Sequence, residues 1–143
     1  MKKITIILIA LLFVGCKNPI EVTSSKKQTV IPGQQNQKSY INYLIEVNIK
    51  NKVDITIESV VVTDKSKCYT VDFLLKKDKA STYTKNINEK GTYFIEAALK
   101  EGKYVEKQIC NQSLNSLIVH YKENGISKKI EITSFIEEEK RRR

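Results

Sequence analysis

Leu117 to Ile132 reads LIVHYKENGISKKIEI, and its alternation decides the fold class. Leu117, Val119 and Tyr121 fall on one face, and Ile130 and Ile132 repeat the period on the far side of Glu123-Asn124-Gly125. Period two is the mark of a half-buried strand, and Asn-Gly supplies the positive backbone angles that a tight primed turn requires. The stretch therefore predicts a β-hairpin. Outward from it, Thr92–Leu99 and Lys103–Ile109 flank Glu101-Gly102 and predict a second hairpin, with another turn at Gly91.

Upstream, Ile41, Tyr43, Ile45, Val47 and Ile49 share a face opposite Asn42, Glu46, Asn48 and Lys50. Asn51-Lys52 reads as a turn into Val53, Ile55 and Ile57. Val60-Val61-Val62 breaks the alternation, which predicts a bulge or a strand buried on both faces. Asp64 to Lys67 is a loop, Val71, Phe73 and Leu75 alternate as one further strand, and 76–81 is polar. Short strands at this spacing, without helical periodicity, predict an all-β domain over 39–136: a small antiparallel β-sandwich, immunoglobulin-like or transthyretin-like, with one core. The chain has no Trp, and Gln108 stands two before Cys110, where a tyrosine corner would place Tyr, so antibody-type membership has no support.

Outside that domain the pattern changes. Residues 16–38 carry Pro19, Ser24-Ser25, Pro32-Gly33 and the polar run Gln34 to Lys38, with few and aperiodic apolar residues. Such a stretch reads as a disordered linker, with an r.m.s. reach of about 25 Å that would hold the domain clear of a surface. At the other end, 137–143 (Glu137-Glu138-Glu139-Lys140-Arg141-Arg142-Arg143) reads as a charged tail. Helical spacing would pair each glutamate with an arginine four residues on, but seven residues are too few for an autonomous helix, so a frayed, solvated tail is expected. Docking of the arginines on anionic lipid is the alternative.

The first sixteen residues carry the strongest functional signal. Lys2 and Lys3 precede an apolar run from Ile4 to Val14, about eleven residues where a membrane-crossing helix needs roughly twenty. Phe13-Val14-Gly15-Cys16 resembles the lipobox of bacterial lipoproteins, with Phe13 in place of the usual leucine. The resemblance covers only the leader. It implies that lipid is joined to the Cys16 sulfur, that a peptidase cuts between Gly15 and Cys16 to remove residues 1–15, and that the new amino terminus is acylated. Two or more acyl chains hold a protein stably to a membrane. Lys17, rather than Asp, after the cysteine implies the outer membrane by the sorting rule of that family.

The full chain has 25 Lys plus Arg against 16 Asp plus Glu, net +9; loss of Lys2 and Lys3 leaves +7. In an exported protein the accessible polyanions are lipids, wall polymers and acidic proteins, so nucleic acid is not the expected partner. The basic residues are dispersed, as on a solvated surface.

With Cys16 lipidated, Cys68 and Cys110 remain. In an exported chain a disulfide between them is expected, with free thiols the alternative. Closing a loop of about 43 residues would stabilise the fold by roughly 4 kcal/mol on the chain-entropy treatment. Cys68 shares phase with Thr70 and Asp72, which places it on a polar strand side. His120 is the single histidine, on a strand with Ile118 and Lys122, and reads as a surface residue unless an acid and a nucleophile converge on it. Seven tyrosines against four phenylalanines suit sheet packing as well as a binding surface. The chain contains neither Gly-x-Ser-x-Gly nor His-Glu-x-x-His, and no phosphate-cradling or calcium loop.

These observations predict a non-catalytic, lipid-anchored component of the cell envelope that binds or assembles with an envelope protein, with no metal or cofactor. The alternative is an envelope inhibitor or immunity protein against a lytic enzyme or toxin.

Overall fold

In the computed structural model of the chain, the described residues are 18–78, 82–107, 110 and 115–142. The leader, Gly15 and Cys16 lie outside them. The strands are β1 (Ile20–Ile31), β2 (Tyr40–Ile49), β3 (Ile55–Asp64), β4 (Lys67–Val71), β5 (Phe73–Lys77), β6 (Tyr83–Thr84), β7 (Asn86–Ile87), β8 (Gly91–Leu99), β9 (Tyr104–Lys107), β10 (Ser116–Glu123), β11 (Ile126–Ile132) and β12 (Ile136–Arg141). One sheet has the order β12-β1-β2-β8-β5-β6, and the other β11-β10-β3-β4-β9, with β7 beside β3. Pairing is antiparallel throughout except for β1 with β12, which run parallel. The chain is an all-β sandwich.

The alternating residues meet between the sheets. Ile45, Val47, Leu75 and Ile95 from the first sheet pack with Ile55, Val60, Val62, Leu117 and Tyr121 from the second, all nearly or fully inaccessible. Each such aliphatic side chain contributes roughly 1.5–3 kcal/mol on burial. The β10–β11 hairpin forms as expected: Leu117 pairs with Ile132 and Glu123 with Ile126, and Asn124 (φ 50°) and Gly125 (φ 82°) make the turn.

The break at Val60-Val61-Val62 has its cause slightly upstream. Register against β10 skips Glu58, since His120 opposes Ser59 while Tyr121 opposes Ile57. This bulge shifts the phase by one residue, so Ile55 and Ile57 before it and Val60 and Val62 after it all face the core. Val61 is left half-buried on the outer face.

Four expectations are corrected. First, the supposed linker over 16–38 contains β1, ten of whose residues pair with β2, from Ile20↔Ile49 to Val30↔Tyr40. Ile20 and Val30 are buried near its two ends, and the polar stretch between them is held by backbone pairing with β2 and, from Lys26 onward, with β12 as well. Composition alone misread it, because ladder bonds from neighbouring strands stabilise residues with no apolar face of their own. Second, residues 137–141 belong to β12, in register with β1 from Lys26↔Ile136 to Ile31↔Arg141. Their charge reads instead as protection of a sheet edge. The domain thus extends beyond 39–136 to include both β1 and β12.

Third, Val71 and Phe73 do not share a strand. The chain leaves one sheet after Val71 and enters the other at Phe73, turning at Asp72. Fourth, β8 and β9 do not pair as a hairpin. The tight turn is present, with Gly102 at φ 80° and Lys103 N–H donating to Lys100 O at 2.9 Å, but β8 joins β2 and β5 while β9 joins β4. The two crossovers lie side by side, tied by Asp72 N–H donating to Lys103 O at 3.3 Å.

A candidate binding groove at the sheet crossover

Because the chain changes sheets at Asp72, β3 and β5 both lose a neighbour on the same lateral edge. On that side β3 pairs with β7 at Ile55 and Thr56 and with β4 from Val60 to Asp64, leaving Ile57 to Ser59 without a strand partner. One backbone bond crosses the gap, from Ile57 N–H to Lys85 O at 3.3 Å. On β5, β6 pairs only with Leu75 and Lys76, so Phe73 and Leu74 are open. The two gaps bound a groove of about 690 Å³.

Apolar and polar groups alternate around it. Leu74 (46 % exposed) and Tyr83 (58 % exposed) offer large apolar area to solvent, with Phe73 half-buried between the sheets. The polar lining comes from Glu58, Ser59, Thr70, Asp72, Thr84 and Lys85. Glu58, the bulged residue, is held by Lys122 Nζ at 3.3 Å. Free strand edges beside exposed apolar side chains suit an extended peptide, which donates and accepts main-chain hydrogen bonds and places every second side chain in a pocket.

Sequence reading placed several of these residues on strands but assigned none of them to a binding site. Two signals were nevertheless present. The phase change between Ile57 and Val60 marks the bulge at Glu58, and the adjacent pair Leu74-Leu75 obliges one leucine to face out of the sheet.

A second cleft of about 320 Å³ opens at one end of the sandwich, lined by Lys27, Tyr43, Asp64, Asn115, Ser116 and Phe135 among others. Tyr43 packs edge-on against Phe135, with ring centroids 5.5 Å apart. Burial, reinforced by the Asp64 carboxylate, pushes its phenol up to about 12. At the cleft wall Thr63 Oγ1 and Ser116 Oγ lie 2.6 Å apart, and Ser116 N–H donates to Thr63 Oγ1 at 2.8 Å.

The residues singled out from sequence are dispersed. Cys68 and Cys110 form a disulfide, with Cα atoms 5.7 Å apart. It joins β4 to a point three residues beyond β9, and Cys68 lies between the core-facing Tyr69 and the exposed end residue Lys67. His120 is half-buried on β10 and stands opposite Ser59 on β3 and Lys129 on β11. It does not line the groove. Among the described residues no three His, Cys, Asp or Glu side chains are grouped to hold a metal, and no helix is long and apolar enough to cross a membrane. No protein-family model matches the chain, and no curated protein matches it significantly.

Proposed function

We propose that this chain is a lipid-anchored component of the bacterial cell envelope, held through Cys16 in the outer membrane, whose sandwich is a non-catalytic binding module. Its groove receives an extended segment of an envelope protein. The observation that supports this reading is the coincidence of two open strand edges, Glu58–Ser59 and Phe73–Leu74, with the exposed Leu74 and Tyr83. An inhibitor of a lytic enzyme would present a projecting loop, whereas this feature is concave, so reception of a segment is favoured over insertion of one. The anchor rests on the leader residues Lys2 to Cys16.

A photo-crosslinking residue at position 83 tests the groove in intact cells. One envelope protein should be captured, with the crosslink mapping to a single extended segment, and Leu74→Asp should abolish it without lowering the melting temperature. Capture of bulk membrane components alone, or an identical pattern from a crosslinker at Ser127 on β11, would sink the groove assignment. Intact mass of the membrane-extracted protein tests the anchor: an unmodified Cys16 thiol removes it.

A further inference from the structure

The rigid domain starts almost at the lipid site. Asn18 and Pro19 are already built into it. Ile20 N–H donates to Asn18 Oδ1 at 3.1 Å, and Lys50 N–H donates to Pro19 O at 3.4 Å. Pro19 is buried, as is Ile20. Two residue steps separate Cys16 from Asn18, and fully extended they span at most about 7 Å. A headgroup layer is itself about 6 Å thick, taken as half the difference between whole bilayer and hydrocarbon core. Acyl chains on Cys16 would therefore hold this end of the sandwich against the headgroups.

Register identifies what else lies at that end. Ile20, Ile49 and Gly91 are aligned across the first sheet, and Ile55, Glu123 and Ile126 across the second. The loops following Ile49, preceding Gly91 and joining β10 to β11 therefore project together. They present exposed Lys52 and Lys90 and, at the hairpin tip, Ile126, which is 63 % exposed. Glu21 is matched by Lys50 at 3.1 Å, Glu89 by Lys77 at 2.6 Å, and Glu123 by Lys128, while Asp54 and Asp78 are exposed. Charge at this end is close to balanced, so the short tether rather than net charge makes the contact. Tethering at this range supplies a high effective concentration and needs no strong intrinsic affinity.

We infer that the end bearing Lys52, Lys90 and Ile126 is a membrane-docking surface for the phospholipid headgroups of the bilayer that holds Cys16. Ile126 enters the interface, the two lysines face lipid phosphates, and the groove between β3 and β5 opens sideways, parallel to the membrane. This rests on the lipid anchor proposed above.

The test uses the full chain, purified from membranes with its lipid and reconstituted in vesicles of phosphatidylcholine and phosphatidylglycerol. Bimane is attached at Ile126→Cys, at Lys52→Cys on a separate loop of the same end, or at Asn36→Cys on the opposite end as reference. With a nitroxide on the lipid headgroup, positions 126 and 52 should be quenched several-fold more than position 36. Equal quenching at all three in protein that still floats with the vesicles would overturn the docking surface and leave the anchor standing. Protein that fails to float and carries an unacylated Cys16 would overturn both.

Discussion

Thr63 and Ser116 show how a buried polar pair is kept without cost. Both are nearly inaccessible, and each satisfies the other across β3 and β10. Thr63→Val preserves shape but removes the hydroxyl that accepts from Ser116 N–H at 2.8 Å and pairs with Ser116 Oγ at 2.6 Å, so the urea midpoint should drop by the equivalent of about 1–3 kcal/mol. Tyr43 makes a pH prediction. Its folded phenol, pushed up to about 12 by burial and then by Asp64, keeps a proton that the unfolded chain loses near 10. The folded state binds more protons in that interval, so this stabilisation is fully present below pH 10 and is lost as pH rises towards 12. Alkaline unfolding followed by tyrosinate absorbance should show the loss, and Tyr43→Phe should remove that part of the dependence. At this scale the core residues Tyr43, Ile45 and Val47 were legible from period two, while the Thr63–Ser116 pair was not, since hydroxyl partners on distant strands leave no local signature.

At the scale of elements, β1 and β12 depend on each other. β12 is exposed at every residue, yet it covers the edge of β1 and holds it through Lys26–Glu138 at 3.4 Å and Gln28–Glu138 at 3.0 Å. Such surface pairs contribute little individually, and the backbone ladder does most of the holding. Ending the chain at Phe135 should bare the β1 edge. Amide exchange at Lys26–Ile31 should then accelerate, and light scattering should report edge-to-edge association; unchanged exchange would deny β12 its role. The glutamate–arginine run reads from sequence as a frayed, solvated tail because only its local i,i+4 charge pairs are visible there, whereas pairing with a strand over a hundred residues away is not. Glu58 shows the opposite case, a bulge written in the phase of Ile57 and Val60.

Across the whole molecule, the disulfide spans 42 residues of sequence and ties together the strands around the crossover. Replacing Cys68 and Cys110 by serine should lower stability by about 2–4 kcal/mol, and reduction of the native protein should produce the same drop in melting temperature. Neither should weaken the crosslink from position 83, because Leu74 and Tyr83 are carried by β5 and β6 of the other sheet. The position of β1 also changes the geometry of the whole. A spacer would have let the domain stand clear of a surface, and a strand starting at Ile20 instead keeps its first residues next to position 16.

Taken alone, the residue order was sufficient for the all-β class, the faces of β2 and β10, the Asn124-Gly125 turn and the two cysteines suited to pairing. Alternation encodes which side of a strand is apolar, and local turn chemistry encodes where the chain reverses. Neither encodes which strand lies next door. Tertiary structure alone decided that Val71 and Phe73 belong to different sheets, that β8 and β9 part company, and that the polar stretches Ser24–Thr29 and Glu137–Arg141 become strands. Those choices follow from pooling backbone hydrogen bonds and core volume over the entire chain, and the groove exists only because of them.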